Sequence, residues 1–182
     1  MVWPVGPAQR NALLTEASAL VERRPASLRN ASALTCLAVS IYHEARDQPL
    51  LGQQAVAAVI LRRVQLSRWG DMICAVVQPS QFSYLSQNYS FPPIVEREAW
   101  RQALTVAIQA LVDGPTPIVA DADHYHATYV SPSWGQKMEE VMRIGGHVFY
   151  RDPVAGSHVS EKTQIRADDV KFAVRPVPRS TY

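Results

Sequence analysis

The amino-acid sequence predicts a mainly helical α+β domain with a small antiparallel β element. Three observations support this prediction. Apolar residues recur at helical spacing over residues 34–46, 51–66 and 96–112. Residues 123–130 instead alternate between apolar and polar side chains, as in a strand with two different faces. Residues 147–150 form a second short strand that can pair with the first, and helices beside a small sheet give the α+β class.

The first helix is predicted from Pro7 to Arg24, because one side of it is apolar and Pro25 cannot continue it. We expect residues 1–33 to form an N-terminal helical extension that packs on the rest of the domain. An alternative is that this helix contacts a partner chain. Its apolar residues are Leu13, Leu14, Ala17, Leu20 and Val21.

The helix predicted over residues 34–46 carries Glu44 at the edge of its apolar face. At about 100° per residue, Glu44 lies roughly 20° from Leu37 around the helix axis. A carboxyl group at the edge of a core loses hydration, which raises its pKa and makes it a candidate general acid near neutral pH. The alternative is a solvated charge at the helix end, paired with Arg46. The apolar face consists of Leu34, Leu37, Ala38, Ile41 and Ala45.

Two further long helices are predicted to build the core. Residues 51–66 include seven successive apolar residues, Ala55–Leu61, so this helix is apolar all round and should be central. Residues 96–112 are amphipathic, and the glycine and prolines that follow end this helix.

An irregular lobe is predicted over residues 67–93, with a short helix near 71–77. Long loops rich in aromatic and amide side chains are typical of carbohydrate clefts, where rings stack on sugar faces. The alternative is a surface loop whose rings fold inward. The aromatic residues of this lobe are Trp69, Phe82, Tyr84 and Tyr89.

The C-terminal third contains the predicted β element. On the strand 123–130, His124, His126 and Thr128 lie on one face and Tyr125, Ala127 and Tyr129 on the other. Ser133 is predicted to cap a short helix that Gly145-Gly146 ends, before the strand 147–150. This helix would carry Trp134, Met138, Val141 and Met142. Residues 152–182 are rich in proline and charge, and we expect an extended or partly disordered arm.

Length, hydrophobic content and net charge limit the classes of function that the chain can have. The 182 residues suit one domain, and 47% hydrophobic content suffices for a sizeable core. A formal net charge of +2 is too small to argue for a nucleic-acid partner. No run of 18 apolar residues is present, so we expect no membrane insertion. The first residues have no basic segment before an apolar one, so we also expect no signal peptide.

Several ordered sequence blocks carry a family resemblance. They are Tyr42-His-Glu-Ala-Arg46, Gly52-Gln-Gln-Ala-Val-Ala-Ala-Val-Ile-Leu-Arg-Arg-Val64, Cys74-Ala-Val-Val-Gln78, Gln81-Phe-Ser83, Tyr125-His-Ala-Thr-Tyr-Val-Ser-Pro-Ser-Trp134 and Ile144-Gly-Gly-His-Val-Phe-Tyr150. In this order and spacing they resemble the spore-cortex-lytic (SleB/CwlJ-like) cell wall hydrolase family. The resemblance covers residues 34–151. The chain departs from the family pattern at Arg62, where many relatives have Asn, and at residues 126–128.

The resemblance implies a lysozyme-like catalytic domain over residues 34–151 that cleaves the MurNAc–GlcNAc β-1,4 bond of peptidoglycan glycan strands. Glu44 would be the general acid and base, and no cofactor is needed. Lytic transglycosylase chemistry, which closes a 1,6-anhydro ring, and ordinary muramidase hydrolysis both remain open. The expected substrate-binding residues are Gln81, Phe82, Ser83, Tyr125, His126 and Tyr129, around a groove open at both ends.

The resemblance also implies a disulfide between Cys36 and Cys74, because phage and proteobacterial relatives often carry cysteines in these two blocks. Two buried free thiols are the alternative. Without a signal peptide, a wall enzyme needs another route to its substrate. We therefore expect a monomeric phage endolysin, released from the host cytoplasm by a holin, or an enzyme carried in a virion with other phage proteins.

Other chemistries are left open by the residues themselves. A two-carboxylate glycosidase needs a partner for Glu44, and Asp121 and Asp123 are the candidates. The same two aspartates, with His124 and His126 on one strand face, also suggest a metal-dependent amidase or peptidase. We favour no metal, because zinc sites need three or four ligands. A non-catalytic phage protein that binds the wall is the remaining alternative.

Overall fold

The computed structural model describes residues 3–154, which form five helices and a three-stranded sheet. The helices are α1 (Pro7–Glu22), α2 (Ala33–Ala45), α3 (Leu50–Leu66), α4 (Ile73–Val76) and α5 (Arg97–Asp113), and the strands are β1 (His124–Ala127), β2 (Glu139–Ile144) and β3 (His147–Arg151). Single 3₁₀ turns at Pro117–Val119 and Gly135–Lys137 flank β1. The predicted α+β class, mainly helical with a small antiparallel sheet, is confirmed.

Helices α2 and α3 form the centre of the core. Ser32 begins α2 by accepting a hydrogen bond from the backbone N–H of Thr35, which satisfies one of the unpaired donors at the helix start. Residues Ala55–Leu61 of α3 are all buried, as predicted for a helix that is apolar all round. Pro49 separates the two helices, and the chain reverses direction in the short turn that follows Glu44. Helix α3 therefore packs against α2.

Helix α5 covers α2, and α1 packs on α5. Trp100 of α5 is fully buried, and its indole N–H donates to the carbonyl of Leu20 over 3.0 Å. Its ring meets the edge of Tyr42 at 6.1 Å between centroids. The hydroxyl of Tyr42 in turn accepts from the backbone N–H groups of Val95 and Glu96, which fixes the start of α5.

The sheet has the order β1-β3-β2, and both pairings are antiparallel. The predicted pairing of residues 147–150 with the strand over residues 123–130 is confirmed, because β3 pairs with β1. The predicted helix after Ser133 is wrong, because residues 139–144 form the strand β2. The two-residue Gly145-Gly146 loop joins β2 to β3, and a glycine pair between two short apolar runs is the sequence signal of a hairpin rather than of a helix end.

The hairpin loop is held against the turn that follows Glu44. Gly145 has a φ of 55°, and a Cβ atom there would lie 2.5 Å from the Gln48 Oε1 atom. The same Gln48 oxygen accepts from the backbone N–H of Gly146 over 2.7 Å. Gly145 is therefore required both by its left-handed backbone and by this close approach.

The structure contains the disulfide that the resemblance implied. Cys36 in α2 is bonded to Cys74 in α4, with their Cα atoms 5.4 Å apart. The bond closes a loop of 38 residues that includes the whole of α3.

Two predictions concern segments or properties beyond this core. The arm predicted over residues 152–182 lies, from residue 155 onward, outside the described residues. Within residues 3–154, no helix is both long and apolar enough to cross a membrane.

Candidate active site

Glu44 lies in the last turn of α2, half-buried, with its carboxyl group bonded to strand β1. The hydroxyl of Tyr125 donates a hydrogen bond to Glu44 Oε2 over 3.0 Å. Successive side chains of β1 point to opposite faces of the sheet, and Tyr125 lies on the face turned to the core, from which it reaches Glu44. On that face Tyr125 is paired with the fully buried Phe149, and the two rings lie 5.7 Å apart. The interpretation of Glu44 as a solvated helix-end charge therefore does not describe this carboxyl. Arg46 instead pairs with Glu96.

Arg63 adds a buried positive charge beside this pair. Its guanidinium donates from Nε to the Asp123 carbonyl over 2.7 Å and packs on the ring of Trp69 at 4.9 Å. Burial raises the pKa of Glu44, while the Tyr125 hydrogen bond and the Arg63 charge oppose this rise. The raised pKa means that Glu44 keeps its proton to a higher pH than an ordinary glutamate.

Tyr125 is a neutral donor in this arrangement. Burial, above all, and the neighbouring Glu44 carboxylate raise its pKa well above the ordinary value for tyrosine. The phenol therefore keeps its proton and can stabilise Glu44 in either state: it donates to a carboxylate strongly and to a neutral carboxyl group weakly.

Tyr84 packs on α2 against two residues that precede Glu44 in the chain. Its hydroxyl bonds the Ser40 Oγ atom at 2.8 Å, and its ring stacks on His43 with 4.8 Å between centroids. Burial, followed by the Arg46 charge, lowers the pKa of His43 to about 4, so this imidazole is neutral at physiological pH. Burial and the negative charge of Glu44 raise the pKa of Tyr84.

Arg63, Tyr84 and Ser40 were absent from the residues predicted to form the site. Ser40 precedes Glu44 by four residues and therefore lies one turn away on the same helix face, a spacing visible in the sequence. Tyr84 directly follows the Gln81-Phe-Ser83 block. Its approach to Ser40 depends on the fold of an irregular loop, for which the sequence carries no periodic signal.

The three predicted substrate residues of that block have different positions. Phe82 is buried, and its ring lies 5.9 Å from that of Tyr84. Gln81 and Ser83 are exposed. Phe82 thus supports the position of Tyr84 from the core, while its two neighbours lie at the surface.

The predicted residues of strand β1 also separate. Tyr125 bonds Glu44, whereas His126 points to the opposite face of the sheet. There the His126 ring stacks on Tyr150 at 5.1 Å and its Nε2 atom bonds the Tyr150 hydroxyl at 3.0 Å. Tyr129, beyond the end of β1, is 89% exposed. Among the six predicted substrate residues, all of them within the described chain, Tyr125 is the one bonded to Glu44.

The aspartates considered as a second carboxylate have other partners. The carboxyl group of Asp123 is buried, with Oδ1 accepting from the Asp152 backbone N–H at 3.0 Å and lying 2.8 Å from His124 Nδ1. Asp121 pairs with Arg62 at 3.3 Å. Over residues 3–154, no group of three or more histidine, cysteine or acidic side chains is placed to hold a metal ion.

Removal of the Tyr125 hydroxyl should move the pH dependence of any activity that needs protonated Glu44. The hydrogen bond favours the carboxylate and so lowers its pKa; Tyr125→Phe removes this effect, and the pKa of Glu44 rises further. The alkaline limb of the pH–activity curve should therefore move to higher pH. Tyr150→Phe makes the same chemical change at a tyrosine whose hydroxyl bonds His126 rather than Glu44, and is the control. A limb that stays in place or moves to lower pH in Tyr125→Phe would contradict this assignment.

Comparisons with known proteins agree with the sequence resemblance. The spore cortex-lytic enzymes of Halalkalibacterium halodurans and Bacillus subtilis are 30% and 29% identical to the chain over 116 residues, which is 62% of its length. The chain spans only about a third of the length of these two relatives, 33% and 35%.

Two solved structures are similar in fold. The catalytic domain of the Bacillus cereus SleB protein matches with a TM-score of 0.51 and 29% identity, over 65% of this chain and 89% of that domain. The catalytic domain of the germination-specific lytic transglycosylase SleB from Bacillus anthracis matches with a TM-score of 0.52 and 29% identity, over 65% and 93%.

A family model described as Cell Wall Hydrolase matches residues 47–150. The match begins just after Glu44, so the role of Glu44 stays a proposal. Because this model matches more than half of the 182 residues, the chain belongs to the cell wall hydrolase family.

Proposed function

We propose that this chain cleaves peptidoglycan glycan strands at the MurNAc–GlcNAc β-1,4 bond, with Glu44 as general acid and then general base. The observation that carries the proposal is the state of Glu44. Its carboxyl group is half-buried, has a raised pKa, and accepts a hydrogen bond from the neutral Tyr125 phenol over 3.0 Å. A general acid must still hold its proton near the working pH, and burial moves the pKa of Glu44 in that direction.

The proton transfers fit a single carboxyl group. Protonated Glu44 gives its proton to the glycosidic oxygen while the bond from that oxygen to the muramyl C1 breaks. The Glu44 carboxylate then takes the proton of the muramyl C6 hydroxyl, whose oxygen bonds C1 and closes the 1,6-anhydro ring. Tyr125 donates to the carboxylate that exists between these two transfers, and Arg63 stabilises its negative charge.

The lytic transglycosylase route is favoured over a two-carboxylate hydrolase by the positions of the other acids. Asp121 and Asp123, the candidates for the second carboxylate, pair with Arg62 and with His124. The name of the similar Bacillus anthracis structure also describes a lytic transglycosylase. Metal-dependent amidase chemistry has no equivalent support among the described residues.

The substrate groove is part of the same proposal. Gln81 and Ser83 are exposed near Tyr84 in sequence, and Tyr129 is exposed beyond Tyr125, so these side chains are free to contact a long glycan strand. A contact by His126 would require the glycan strand to reach the other face of the β-sheet. The phage setting, the monomeric state and the holin-dependent route stay predictions.

Mass spectrometry of the products tests the proposed bond and reaction. Purified peptidoglycan digested with the oxidised protein should yield muropeptides that end in 1,6-anhydro-MurNAc, one water lighter than the hydrolysis product. Muropeptides with a reducing MurNAc end would show that the chain hydrolyses this bond as a muramidase and is not a transglycosylase. A reducing GlcNAc end would show a different bond, and released stem peptides would show an amidase; either result would overturn the proposal.

A further inference from the structure

A closed circuit of contacts joins the disulfide to Tyr84. Ser40 donates from Oγ to the carbonyl of Cys36 over 2.9 Å, and its oxygen therefore accepts from the Tyr84 hydroxyl at 2.8 Å. Cys36 is bonded to Cys74, whose carbonyl accepts from the Gln78 side chain at 3.2 Å. Gln78 in turn accepts the backbone N–H of Phe82, two residues before Tyr84.

Cys36, Ser40 and Glu44 follow one another at four-residue intervals along α2. They form one row on the helix surface, with His43 beside its end. Tyr84 packs beside this row, because its hydroxyl bonds Ser40 and its ring stacks on His43. The disulfide, Tyr84 and the proposed acid thus share one face of one helix.

The loop of residues 77–96, which carries Tyr84, has little structure of its own. Between α4 and α5 it contains no helix and no strand beyond an isolated bridge at Ser90. Segments with few regular backbone hydrogen bonds open at a lower free energy than packed helices. Cys74 lies in α4, three residues before this loop, and its disulfide to Cys36 attaches it covalently to α2, eight residues before Glu44.

We propose that Tyr84 is a positioning residue that shields Glu44 from water, and that the Cys36–Cys74 disulfide holds it there, so that the protein is fully active only in its oxidised form. This inference rests on the proposed function of Glu44. A dithiol reductant supplies two electrons and two protons: the S–S bond breaks, two cysteine thiols form, and the reductant closes to a cyclic disulfide. The loop then separates from α2, and water reaches the carboxyl group.

The expected sign follows from hydration. Water favours the carboxylate, so exposure of Glu44 lowers its pKa toward the ordinary value. Less of the acid form remains at a given pH, and the alkaline limb of the activity curve moves to lower pH. This direction is opposite to that expected for Tyr125→Phe, so the two effects are separable in one assay.

The test compares pH–activity curves on purified peptidoglycan, below the melting temperature of every sample. The samples are the oxidised protein, the protein reduced with dithiothreitol, Cys36→Ser/Cys74→Ser, Tyr84→Ala and Tyr84→Phe. We expect the limb to move to lower pH in the reduced protein, the double variant and Tyr84→Ala. Tyr84→Phe, which keeps the ring, should recover the position of the limb. Dithiothreitol should have no effect on the double variant, which controls for other actions of the reagent.

Hydrogen exchange provides a readout independent of catalysis. Reduction should remove protection at the amides of Phe82 and Leu85, which are hydrogen-bonded within the loop, and leave the α3 amides protected. Reduction that lowers only the melting temperature, with the limb and the loop protection unchanged, would overturn the inference. The activity of Glu44→Gln separates the two proposals. If Glu44→Gln is inactive, a reduced protein with an unchanged limb and unchanged loop protection refutes the redox coupling alone. If Glu44→Gln is fully active, the proposed function itself has failed.

Discussion

Glu44→Gln is expected to lower the rate of wall degradation by roughly 10²–10⁴-fold, the usual contribution of general acid–base catalysis. Glutamine has nearly the same shape and can still accept the hydrogen bond from Tyr125, so the geometry of the site is kept. It has no proton to give to the glycosidic oxygen and no negative charge to receive one. The loss should appear at every pH in a turbidity assay with purified peptidoglycan.

Glu16→Gln is the matched control for this variant. Glu16, on α1, is also half-buried with a pKa raised by burial, and it is hydrogen-bonded to Ser32 rather than to Tyr125. It should keep near wild-type activity. Equal activity of a folded Glu44→Gln protein and the wild type would remove Glu44 from the reaction, and an equal loss in Glu16→Gln would show that the effect is not specific.

Trp100→Ala is expected to cost about 3–5 kcal/mol of the free energy of unfolding, the range for removing a large aromatic ring from a core. Trp100 of α5 is fully buried against Tyr42 and the backbone of Leu20. The variant leaves a cavity and an unpaired Leu20 carbonyl, and it loosens α1 from α5. Urea unfolding of the oxidised protein, followed by circular dichroism, measures the change.

Trp100→Phe separates the two parts of this loss. It retains most of the apolar contact but removes the indole donor, and an unpaired buried carbonyl costs about 1–3 kcal/mol. Its stability should therefore fall between that of the wild type and that of Trp100→Ala. A change within about 0.5 kcal/mol in Trp100→Ala, which is usual for surface substitutions, would be incompatible with the packing described for α5.

The helices were predictable because their apolar patterns are long. The unbroken apolar run in α3 requires burial on all sides, and the structure places that helix at the centre. The half-buried position of Glu44 likewise followed from its angle to Leu37 around the axis of α2. Both predictions use only the geometry of one helix, which neighbouring elements do not change.

The sheet and the site were less predictable because they depend on packing between distant segments. The alternation of β1 separates Tyr125 from His126, but it does not say which face meets Glu44. Strand β2 was mistaken for a helix because Met138, Val141 and Met142 also fit helical spacing over a short run. The approach of Tyr84 to Ser40, 44 residues earlier in the chain, has no signal in either segment alone.

The contact between Gln48 and the Gly145-Gly146 loop has a consequence for how the family can diverge in length. It joins two points 98 residues apart, one just after Glu44 and the other at the hairpin. Insertions and deletions in the exposed connections between these points can therefore accumulate without moving the hairpin away from the end of α2. We expect relatives of different sizes to differ mainly there, while an amide side chain opposite a glycine pair is retained at the junction.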